Sequence, residues 1–140
     1  MYRYAENGTL ERTVEGFGKL NEKLAASYAA KILDGLSYIH HNGVVHGDLR
    51  AANILTTKDR SVKLFNFGVS SHLSAIEWAR LVVAGSPNWA APEVIKLNRM
   101  SAKSDIWSLG CMVIKLLMGR PPYADMANGI TGAEPFPLCY

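Results

Sequence analysis

A chain of 140 residues is long enough for one domain of ordinary size. Hydrophobic residues make up 49% and charged residues 19%, a globular composition rather than a disordered one. The net charge of +3 comes from basic residues scattered along the sequence, which argues against a dedicated nucleic-acid surface, and no apolar run approaches the roughly 20 residues of a membrane span.

Residues 1–6 contain no apolar segment of the kind that heads a secretory signal. Leu20, Leu24, Tyr28, Ile32 and Leu36 then recur every four residues, with Ile39 following, and predict one apolar face of a long helix. Asn21 is its expected N-cap and Asn42-Gly43 its expected stop. His40 and His41, at its end, are expected to face solvent or to meet the negative end of the helix dipole. Ile54–Thr56 and Val62–Leu64 flank a polar stretch and predict a β-hairpin. Residues 69–92 read as irregular, broken at Gly85-Ser86-Pro87 and Ala91-Pro92. Ser104 to Met118 predicts a second helix, apolar nearly all round and therefore buried on most sides, with Trp107 in the core. Gly119 and Pro121-Pro122 end it. Residues 126–140 have no periodic pattern and read as an irregular tail. Cys111 and Cys139 show no metal or redox spacing, and Cys111 reads as a small buried hydrophobe. A reducing, cytoplasmic setting is expected.

Four short motifs follow one another: His46-Gly47-Asp48 with Asn53, then Asn66-Phe67-Gly68, then Ala91-Pro92-Glu93, then Ser104-Asp105-Ile106-Trp107-Ser108-Leu109-Gly110. In kind and order they resemble the C-terminal half of the protein kinase signature set. Gly85-Ser86-Pro87-Asn88-Trp89 and Asp105-Ile106-Trp107-Ser108 are similar to serine/threonine kinases, whereas Leu49-Arg50-Ala51-Ala52-Asn53 resembles some tyrosine kinases. The stretch before Ala91-Pro92-Glu93 shapes the substrate pocket and weighs more. Residues 4–10 and 53–58 look like fungal septation kinases and their relatives in mitogen-activated cascades.

The resemblance implies a mainly α fold with a small β-hairpin, an incomplete kinase-like C-terminal lobe. It implies a partial kinase domain over residues 1–125 and a tail over 126–140. It also implies ATP and magnesium as cofactors and a protein as substrate or partner, with neither nucleic acid nor membrane. Asp48 would accept the proton of the substrate hydroxyl, and Arg50 would stand near the transferred phosphate. Asn53 and Asn66 would face the metal, Leu55 would floor the adenine site, and Tyr4 and Ala5 would form the hinge. Asp105 would cap backbone groups of the catalytic loop, and His46 would pack to hold that loop. Ser70, Ser71, Ser74 and Ser86 lie in the activation segment and read as ordinary loop serines.

The departures from the family pattern bear on activity. Asn66 stands where kinases carry a metal-binding aspartate, so the metal site is degenerate. Gly47 replaces an arginine that pairs with a phosphorylated loop. Phe65 brings a large ring close to the nucleotide site. The sequence opens at what resembles the hinge, so the Gly-rich loop and strand lysine are expected to be absent, as is the arginine that would pair with Glu93. These features predict a catalytically impaired, kinase-like fragment acting through protein binding, with ATP and magnesium held weakly or not at all. The alternatives are an active kinase whose N-terminal lobe lies outside this sequence, and a truncated product without function.

Overall fold

A computed structural model describes residues 7–66, 87–97 and 100–124. In chain order the elements are α1 (Leu10–Phe17), α2 (Glu22–His41), β1 (Ile54–Thr56), β2 (Val62–Leu64), α3 (Pro92–Leu97) and α4 (Ala102–Met118). Short 3-10 turns occupy Ala51–Asn53 and Pro87–Trp89. The described part is therefore mainly helical with one small sheet.

Helix α2 starts where its cap dictates. Asn21 holds extended backbone and its side chain accepts from the Leu24 N–H at 2.9 Å. It stops at His41, after which Gly43 takes φ 73°. Tyr28, Ile32, Leu36 and Ile39 are buried along one face, as the four-residue recurrence predicts. That face meets α4, where Met112 and Leu116 are fully buried in the same core. The Leu20 N–H donates to the Leu116 carbonyl at 2.7 Å, tying the entry of α2 to the end of α4. Gly119 leaves α4 at φ 80°, a conformation glycine adopts without a Cβ penalty.

The hairpin is antiparallel and in register, with Ile54 opposite Leu64, Leu55 opposite Lys63 and Thr56 opposite Val62. It docks on the N-terminal segment: Thr56 N–H donates to the Gly8 carbonyl at 2.9 Å, and Thr9 bridges Leu55.

The structure adds two short helices and corrects one expectation. Helix α1 was not anticipated, because only Leu10 and Val14 are buried in its two turns. Helix α3 begins at Pro92, where the sequence suggests a break, since proline is well suited to the first turn of a helix. Helix α4 is not enclosed on most sides among the described residues: Ile106, Trp107, Ile114 and Met118 are at least a third exposed, so Trp107 is not a core residue. The expected tail over 126–140 lies outside the described residues.

Candidate functional site

The site is a loop, residues 46–53, clamped from α4. Asp105 is buried on the first turn of α4 and aims its carboxylate at the loop backbone. The His46 N–H donates to Oδ2 at 2.8 Å and the Gly47 N–H to Oδ1 at 2.9 Å. The capping role expected of Asp105 is therefore met. Gly47 reaches this carboxylate with φ 78°, a region that side-chain-bearing residues enter at a cost. His40 of α2 also reaches Asp105, its Nε2 lying 2.7 Å from Oδ2. His40 thus does not simply face solvent, whereas His41 is exposed.

His46 is fully buried and bridges two loop segments of the site. Its Nδ1 accepts from the Asp48 N–H at 3.2 Å, which assigns the proton to Nε2, and Nε2 donates to the Phe65 carbonyl at 3.0 Å. Burial pushes its pKa below the usual 6.5, outweighing the opposing pull of the Asp105 and Asp48 carboxylates. A neutral, fully bonded imidazole supports the loop and is not poised as a base.

Asp48, Asn53 and Asn66 come together as the motifs imply. Asn53 is buried, and its Nδ2 donates to the Asp48 backbone carbonyl at 2.8 Å and to Asp48 Oδ2 at 2.9 Å. The other Asp48 oxygen lies 3.5 Å from Arg50 Nε. Both carboxylate oxygens therefore have a nitrogen of the same loop beside them. Asn66 takes φ 58°, which asparagine tolerates better than most residues, and its Nδ2 donates to Asn53 Oδ1 at 3.2 Å. Leu55 is half-buried on β1 beside Thr9. Tyr4 and Ala5, the expected hinge residues, lie outside the described residues, as do Phe67, Gly68 and the activation-segment serines.

One buried cation was not singled out from the sequence. Lys115 of α4 pairs with Glu11 of α1, and its ammonium sits 5.5 Å from the Trp89 ring centroid. A lone lysine in the apolar run from Met112 to Met118 is the signal that marks it. Cys111 is buried, as expected, and burial raises its thiol to about 11, so it is no nucleophile.

Residues 1–134 match the family model described as the protein kinase domain. The chain belongs to the protein kinase family. Over 123 residues it is 51% identical to Cell division control protein 7 of Schizosaccharomyces pombe, covering 88% of the chain and 11% of that protein. It is 49% identical to Cytokinesis protein sepH of Aspergillus terreus, covering 88% of the chain and 9% of that protein. It is 48% identical to a probable serine/threonine-protein kinase of Dictyostelium discoideum, covering 86% of the chain and 24% of that protein. These matches put it with the serine/threonine kinases resembling the fungal septation enzymes, as the motifs imply. The chain spans between 9% and 24% of the length of these relatives.

Proposed function

We propose that the chain is a catalytically impaired serine/threonine-kinase-like protein that acts by binding another protein. The observation that carries this reading is the hydrogen bond from Asn66 Nδ2 to Asn53 Oδ1 at 3.2 Å. Kinases of this family use ATP, with magnesium held by an aspartate and an asparagine in the positions of Asn66 and Asn53. Magnesium prefers hard, charged oxygen ligands. Here the pair is two neutral amides, and one turns an N–H donor toward the only oxygen of the other. That donor set does not fit the ion. The two side chains are bonded to each other instead. Gly47 adds to the reading, since it has no guanidinium with which to hold a phosphorylated segment. A cytoplasmic site of action belongs to the same reading, supported by Cys111 as a free buried thiol.

An active kinase is the second reading. The ordered placement of Asp48 and Asn53 in one loop favours it. A phosphotransfer assay with ATP and either magnesium or manganese separates the two. No transfer above that of Asp48→Ala is expected; activity that Asp48→Ala abolishes would overturn the impaired reading. A melt with and without millimolar magnesium tests the metal argument alone. The unsubstituted chain should not shift. Asn66→Asp should lose about 1 kcal/mol without metal, because two oxygens then oppose each other, and should recover it when magnesium is added. An equal magnesium response from both proteins would remove the argument.

A further inference from the structure

Four of the 15 basic residues that lie scattered in the sequence converge at one place in the fold. A groove of about 540 Å³ runs between α1, the start of α2 and the β1–β2 turn. Arg12, Lys19, Lys58 and Arg60 line it, and none of its lining residues among those described is acidic. Leu24 lies within it and Phe17 stands at its edge, 82% exposed. Asn21, the N-cap of the 20-residue helix α2, also lines it, so the positive end of a long helix faces the same space.

Of the nearby carboxylates, Asp59 and Glu11 are turned to other partners, while Glu22 stands exposed in the first turn of α2. Asp59 lies between Lys58 and Arg60 in sequence, but it accepts from the Thr57 hydroxyl and from Ser61 Oγ, which hold its pKa down to about 2. Glu11 of α1 is committed to Lys115. The Lys31 ammonium donates to the Arg60 carbonyl, which fixes the turn and adds a further cation beside it.

We propose that this groove docks an extended acidic segment of a partner protein, with Asp or Glu residues flanking one large apolar side chain. Charge complementarity supplies the acidic requirement. The apolar requirement comes from Phe17 and Leu24, which offer a side chain a place out of water. A nucleic acid fits less well, because among the described residues Phe17 is the one exposed ring lining the groove, and single strands are held by successive stacking platforms. The groove uses neither Asn53 nor Asn66, so this proposal and the impaired-kinase reading stand or fall separately.

Fluorescence anisotropy of the full chain with a labelled Asp/Glu-rich peptide bearing a central leucine tests it. Binding should weaken as salt is raised, and Arg12→Glu/Arg60→Glu should weaken it by at least about tenfold. Phe17→Ala should weaken it by several-fold, whereas Lys103→Glu, at an exposed position outside the groove, should leave it within about twofold. Circular dichroism of each variant confirms that the fold is retained. Absent binding overturns the proposal. So does equal binding by Arg12→Glu/Arg60→Glu, or tighter binding of the lysine counterpart of the peptide or of a single-stranded RNA of similar length.

Discussion

Asp105 satisfies two backbone N–H groups of the loop over residues 46–53 and also meets His40, so one buried carboxylate holds α2, α4 and the loop in a fixed relation. His46 completes the arrangement from inside the loop, and its protonation state has a consequence for stability. Burial keeps it neutral in the fold, while the unfolded chain titrates near 6.5. As pH falls below 6.5 the unfolded state takes up the proton first, so stability is lost from there down to the depressed folded value. Above 6.5 both states are neutral and the group contributes no slope. Each unit of depression is equivalent to about 1.4 kcal/mol. Urea midpoints taken from about pH 7.5 to 5 should therefore fall more steeply for the unsubstituted chain than for His46→Gln, which cannot charge. Parallel profiles would show that His46 does not carry the acid sensitivity.

At the level of elements, the start of α4 decides whether Asp105 is held in place. Ser101 and Ser104 form a reciprocal capping box, with Ser104 N–H to Ser101 Oγ at 3.3 Å and Ser101 N–H to Ser104 Oγ at 2.9 Å. Ser101→Ala should cost about 1 kcal/mol and lower the melting temperature by several degrees, and Ser101→Asp should restore most of it. Hydrogen exchange should show the His46 and Gly47 amides losing protection together with the first turn of α4. Protection unchanged at those two amides would mean that the cap and the loop are independent. The longer elements were legible because their signals repeat: α2 shows its apolar face five times, and the hairpin is set by a polar turn between Ile54-Leu55-Thr56 and Val62-Lys63-Leu64. Helices α1 and α3 were not, since two turns or fewer give periodicity too little to act on. The apolar residues of α4 indicate a helix but not how much of it is covered; Ile106 and Ile114 are as apolar as the buried Leu109 and Leu116. The same limit applies to the site. Motif order brings Asp48, Asn53 and Asn66 together, but residue type does not say that Asn66 turns its N–H to Asn53. Nor does it say that His40 meets a carboxylate 65 residues away.

For the whole molecule, the uncovered apolar surface sets its behaviour in solution. Seven large apolar side chains are exposed among the described residues, with Phe17 at 82%, Tyr38 at 72% and Met118 at 61%. Ile106 and Leu33 share a shallow depression of about 370 Å³ on the α2–α4 face. Burying one such side chain is worth about 1.5–3 kcal/mol, a large fraction of the roughly 5–15 kcal/mol that stabilises a typical domain. The chain should therefore associate as its concentration rises and should bind a hydrophobic dye while folded. Ile114→Lys/Met118→Lys removes two of these side chains from positions that contact water already, so it should reduce light scattering and dye fluorescence and change stability by no more than about 1 kcal/mol. A chain that stays monomeric at every concentration, with dye binding unaffected by Ile114→Lys/Met118→Lys, would show that these side chains are scattered singly and do not act as a patch.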